Sequence, residues 1–136
     1  MLADNSVVVS GMLWSGPPSR VIEAARSSHL QLLTSAERLT ELRNALDRLT
    51  ARVLNRGWPG AEAVVAEFQS IAELVVRAEV SAPALRDVAD THVLAAAVGG
   101  GANLVATSDR DLLVLREFQG IGIVTPGELL HTLGLD

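Results

Sequence analysis

Short apolar runs alternate with helical stretches along this chain, a pattern that few folds other than a mostly parallel sheet flanked by helices can accommodate. The first run, Leu2 to Val9, reads as a strand and is followed by the breaker cluster Ser15-Gly16-Pro17-Pro18. Proline suits a first helical turn, so a helix is predicted from there to about Ser27, with Val21, Ile22, Ala24 and Ala25 on its apolar side. Leu30 to Leu33 reads as a short strand. Thr34 and Glu37 then have capping-box spacing, and Leu39, Leu42, Leu46 and Leu49 recur on one helical face. Arg56-Gly57-Trp58-Pro59-Gly60 reads as a turn. It leads into a helix from about Ala61, with Val64, Val65, Phe68 and Ile71 inward, and a strand near Leu74 to Val76.

The C-terminal half repeats the alternation. A helix opening near Asp90 carries Val93, Leu94 and Ala97 and stops at Gly99-Gly100-Gly101, which reads as a C-cap and turn. Asn103 to Ala106 is a buried-type strand, Asp109 to Phe118 a helix, Ile121 to Val124 a strand, and Pro126 to Leu133 a closing helix. With no internal repeat, long linker or low-complexity tract, the expectation is one α/β domain over residues 1–136.

Composition narrows the function classes. Apolar residues make up 49% of the chain, enough for a real core. The absence of cysteine excludes disulfides and thiolate metal sites. That suits a reducing cytoplasm, and the start MLADNSVVVSGMLW lacks a basic secretory leader, so a cytoplasmic location is expected. No apolar run is long enough to predict a membrane span. Net charge is −5, and all eleven basic residues are Arg. Such a chain has no general attraction for nucleic acid, so binding it would need a local Arg patch, a bound metal or a basic partner.

Several acids occupy positions where chemistry is expected. Open α/β sheets bind ligands at the carboxyl ends of their strands. Carboxylates gathered there suit Mg2+ or Mn2+, which prefer hard oxygen ligands. Such ions turn water into a nucleophile and relieve charge on a leaving oxygen, as phosphodiester hydrolysis requires. Asp4 lies beside the apolar Val7, Val8 and Val9, where an unpaired carboxylate would be costly. Asp109 follows the Asn103–Ala106 strand, and Asp90 opens the preceding helix. Each of these two also reads as a helix N-cap. Glu41 lies at the edge of the leucine face and, by spacing alone, reads as a solvated residue paired with Arg38 or Arg48.

Four segments in order resemble the PIN-domain family. Asp4-Asn5-Ser6-Val7-Val8-Val9-Ser10-Gly11 is similar to the family's opening, and Leu39-Thr40-Glu41-Leu42 to the helix that contributes its glutamate. Asp87-Val88-Ala89-Asp90-Thr91-His92-Val93-Leu94 is similar to its central acidic helix start. Ala102-Asn103-Leu104-Val105-Ala106-Thr107-Ser108-Asp109-Arg110-Asp111-Leu112-Leu113 is similar to its strand ending in Thr-x-Asp. The likeness runs from Asp4 to about Pro126 and is closest to VapC-like toxin ribonucleases of toxin–antitoxin pairs.

The resemblance implies a three-layer sandwich with a central, mostly parallel sheet flanked by helices. It implies Asp4, Glu41, Asp90 and Asp109 as catalytic acids, with metal on Asp4, Asp90 and Asp109. Ser6 and Thr107 would be hydroxyls near the metal or scissile phosphate, and Asp87 and Asp111 secondary acids. It also implies an RNA substrate, Mg2+ or Mn2+ as cofactor, a cognate antitoxin and a homodimer. Two departures bear on the site. Only Met1, Leu2 and Ala3 precede the first Asp, so either the first strand is short or the start is truncated, and Ser6 stands where this branch more often has Asn.

Other residues carry plainer readings. His29, His92 and His131 show no metal spacing, and they read as surface or helix-end histidines, with His92 near enough to Asp90 to see the cleft. Trp14 and Trp58 read as part-buried anchors or dimer contacts, with base stacking as the functional alternative. Arg38, Arg43, Arg48, Arg52 and Arg56 read as a solvated helix face that could also track phosphates. The leading function is a metal-dependent ribonuclease; the alternative is a catalytically inactive PIN-like module binding RNA or protein. A receiver-like phosphoacceptor would want a lysine near its acids, and the chain has none.

Overall fold

Leu2-Ala3, Leu32-Leu33 and Val105-Ala106 are consecutive apolar pairs, and consecutive side chains of a strand leave on opposite faces. Strands built from such pairs must be covered on both sides. The computed structural model describes residues 1–52 and 60–135. Its elements begin with β1 (Leu2–Ala3), α1 (Asn5–Leu13), α2 (Pro17–Arg26), β2 (Leu32–Thr34), α3 (Ala36–Arg52), α4 (Ala61–Ile71) and β3 (Ala72–Leu74). They continue with α5 (Val88–Gly99), β4 (Leu104–Ala106), α6 (Arg110–Leu113), β5 (Glu117–Phe118), β6 (Ile121–Val124) and α7 (Pro126–Thr132).

The six-stranded sheet has the order β3-β2-β1-β4-β6-β5, parallel throughout except for β5. Ala3, Leu32 and Ala106 face a core with Val7, Val8, Ile22, Leu42, Leu46, Phe68 and Leu129, from the α1–α4 and α7 side. Leu2, Leu33 and Val105 face a second core with Val93, Leu94, Ala97 and Leu112, from α5 and α6. The result is the three-layer α/β sandwich with a mostly parallel central sheet.

Chain order fixes where a ligand belongs. From β1 the strands step outward through β2 to β3, and the chain then returns to place β4 on the other side of β1. The crevice at such a reversal, beyond the carboxyl ends of the strands, is the natural site. Here those ends are Ala3 and Ala106, partners in register. Asp4 and Thr107 are the next residues along each strand.

Several local expectations change. Val7, Val8 and Val9 belong to α1 rather than to a strand that runs on from Leu2. Their intrinsic preference is for strands, but burial of Val7 and Val8 between α2 and the sheet overrides it. Helices α1 and α2 approach closely, because a Cβ on Gly11 would lie 2.6 Å from the Pro18 carbonyl oxygen. Thr34 lies in β2, and the hydroxyl facing the start of α3 belongs to Ser35, 3.4 Å from the Arg38 amide. Helix α5 starts at Val88 with Asp87, not Asp90, as its cap.

The helix expected over Asp109–Phe118 lasts only for Arg110–Leu113. Gln119 (φ +49) and Gly120 (φ +82) instead make a tight hairpin that pairs β5 with β6. Of the turn expected at 56–60, only Gly60 lies within the described residues. Among those residues no helix is long and apolar enough to cross a membrane.

Candidate metal centre

Each acid reaches the crevice by a different local device. Asp4 stands at the N-cap position of α1 but makes no capping bond. Its amide is tied to the Ala106 carbonyl at 2.8 Å, which continues the β1–β4 ladder. Its carboxylate accepts a 2.8 Å bond from the Thr107 hydroxyl. The same Thr107 oxygen accepts the Asp109 amide at 3.0 Å. Thr107 is fully buried, and its amide donates to Val124 on β6 at 2.9 Å. One side chain thus links the acid after β1 to the acid after β4.

Asp109 does cap its helix, with the Asp111 amide donating to it at 2.9 Å. On α5 the capping work falls to Asp87, which accepts from the Ala89 amide at 2.9 Å. That frees Asp90, one turn into the helix, to point its carboxyl elsewhere. Asp90 is only 4% exposed, and its Oδ2 is buried without a hydrogen-bond partner among the described residues. Single oxygens of Asp90, Asp109 and Asp111 lie within 4.8 Å of one another.

Burial first, then a hydrogen bond and the charge of Asp109, with Asp87 and Asp4 further off, push the Asp90 carboxyl up to about 7. Two adjacent carboxyls in a desolvated crevice tend to share a proton. The unpartnered oxygen, the shared charge and the all-oxygen donor set fit a hard divalent cation, which would satisfy all three at once.

Glu41 lies apart from that trio. It contacts His92 Nδ1 across from α5, and both side chains are about three-quarters covered. Its hydrogen-bond partner is therefore His92, while Arg38, one of the two partners expected from spacing, is acted on by its charge. Ser6 is exposed on the first turn of α1, and Asp111 is exposed at the rim. The structure thus brings Asp4, Thr107, Asp90, Asp109 and Asp111 into one connected group, with Asp87 beside it and Glu41 held by His92.

Arg38 is the largest surprise. Expected on a solvated face, it is 1% exposed. Its Nη2 donates to the Ala3 carbonyl at 2.5 Å and to Asn5 Oδ1 at 3.0 Å, while Asn5 Nδ2 donates back to the Arg38 carbonyl at 3.1 Å. The signal was present, because Arg38 precedes Leu42 and Leu46 at four-residue steps, on the stripe that faces inward. Arg43, by contrast, is half-exposed and pairs with Glu62 at 2.7 Å.

The sequence profile of the PIN domain matches residues 1–111, and those residues hold every acid described above. The chain belongs to the PIN domain family. No curated protein and no solved structure matches it. PIN domains are generally nucleases that use divalent metals, so this PIN domain has nucleic acid as its substrate class and an acidic group able to bind an ion.

Proposed function

We propose that this PIN domain is a Mg2+- or Mn2+-dependent endoribonuclease and the toxin of a type II toxin–antitoxin pair. The observation that carries the nuclease reading is Asp90, buried, facing Asp109, with one oxygen left unpartnered. The resemblance of the four acidic segments to VapC-like proteins supports RNA as substrate, and an antitoxin, a homodimer and a cytoplasmic setting go with it. The nuclease unit is taken as residues 1–136, since Leu129 and Leu130 of α7 complete the core that Asp4's helix packs on.

In this reading Asp4, Asp90 and Asp109 would hold the ion, with Glu41 completing the catalytic acids. A divalent ion bound there supplies an activated water at neutral pH and offsets charge on the leaving oxygen. A bound ion would compete with the proton that burial and the neighbouring Asp109 favour on Asp90. Thr107 keeps Asp4 turned towards the crevice. Asp87 holds the start of α5, and so Asp90, in place. Asp111 does the same for Asp109 through its amide, and the Ser6 hydroxyl is exposed to meet a scissile phosphate.

The test is cleavage of single-stranded RNA by the purified chain with Mn2+, wild type against Asp90→Asn. Loss of cleavage in the variant is expected, and equal cleavage by both would sink the assignment. Growth arrest on expression, relieved by Asp90→Asn and by a small protein encoded beside the gene, tests the toxin role. Arrest that persists with Asp90→Asn would argue against it.

A further inference from the structure

A fully buried guanidinium is expensive unless its charge is answered, because arginine does not deprotonate to escape the cost. Arg38 has two nitrogens, Nε and Nη1, buried with no hydrogen-bond partner among the described residues. Its one bonded nitrogen holds the residues on both sides of Asp4, namely the Ala3 carbonyl and the Asn5 side chain. Glu41 lies three residues further along α3, one turn away on the same side. The charges that act on Arg38 are accordingly those of Asp4 and Glu41, and burial opposes them. Among the described residues, Asp90, Asp109 and Asp111 have no ion-pair partner.

We propose that Arg38 is a permanent counter-cation built into the β1–α3 side of the acidic crevice, so that the site takes one divalent ion rather than two. This rests on the metal-dependent reading above. A second ion shared by Asp4 and Glu41 would sit against a fixed positive charge in a poorly screened interior. The first ion would draw on Asp90 and Asp109 as well as Asp4, and the charges of Asp90 and Asp109 are not among those that act on Arg38. Arg38 is thus a positioning residue that sets how many ions the acids accept, and it holds the backbone either side of Asp4 while doing so.

Counting Mn2+ bound to the intact chain by electron paramagnetic resonance tests this without reference to activity. Wild type is expected to bind one ion. Arg38→Gln, with its fold checked by circular dichroism, is expected to take up a second and to hold the first at least about tenfold more tightly. Arg38→Lys keeps the charge without the planar fork and is expected to stay at one. Two ions in wild type, or in Arg38→Lys, would overturn the inference and leave the metal-dependent reading standing. One ion of unchanged affinity in a folded Arg38→Gln chain would overturn it equally. No bound Mn2+ in wild type would overturn both. Where Arg38→Gln does not fold, the counts for wild type and Arg38→Lys still decide.

Discussion

The two sides of the crevice hold carboxylates in opposite company. On the α5–α6 side, Asp90, Asp109 and Asp111 face one another with no ion-pair partner among the described residues, and Asp90 is pushed up to about 7. On the β1–α3 side, Asp4 is held by Thr107 and flanked by the bonds of Arg38, while Glu41 contacts His92. The first side is left electrostatically unfinished and the second is already compensated. A cation from solution would gain most where the protein has supplied none. The division follows from chain geometry, because α3 packs on one face of the sheet and α5 and α6 on the other.

Substitutions on the two sides should therefore differ in size. Asp90→Asn or Asp109→Asn removes charge from the unfinished side, and Mn2+-dependent RNA cleavage should fall by at least about a hundredfold, measured under single-turnover conditions. A fall under about threefold in both would break the comparison. Thr107→Val keeps the shape but leaves the Asp109 amide and one Asp4 oxygen without their bonds. Cleavage should drop by about 10- to 100-fold and stability by about 1–3 kcal/mol in urea denaturation.

The raised Asp90 carboxyl makes a separate prediction about the metal-free protein. Its folded-state pKa, about 7, lies above the ordinary aspartate value of 3.8, so the folded state binds the proton more tightly than the unfolded chain. The stability it contributes is complete below about pH 4 and is lost as pH rises through about 7. In EDTA the urea midpoint should fall across that window, by on the order of a few kcal/mol in stability. Asp90→Asn should flatten the curve, and an equally steep fall in that variant would assign the titration to another group. The smallest effect belongs to the compensated side. His92→Gln should change stability by less than about 1 kcal/mol, because the Glu41 contact is partly exposed. A larger loss would make that contact structural.

Most of the architecture was legible because apolar period reports burial. The leucine stripe of α3, the inward face of α4 and the β6 strand stand where the pattern places them. The misread segments are those where packing overrules preference. A Val-rich run became helix because burial of Val7 and Val8 overrides their strand preference, and the turn at Val114-Leu115 with Arg116 at φ +58 ended α6. The acids of the site were readable as residue types at strand ends. Their partners were not, since Thr107 bridging Asp4 and Asp109, or His92 meeting Glu41, depends on which strands and helices become neighbours. Arg38 was hidden for a different reason. Charge suggested solvent, while its four-residue spacing to Leu42 and Leu46 placed it inside.

The most direct test is a crystal soaked or grown with Mn2+ and measured at the manganese absorption edge. The account predicts one anomalous peak within direct coordination distance of Asp4, Asp90 and Asp109. A peak held by Glu41 and Asp4 alone, or none at these acids, would contradict it.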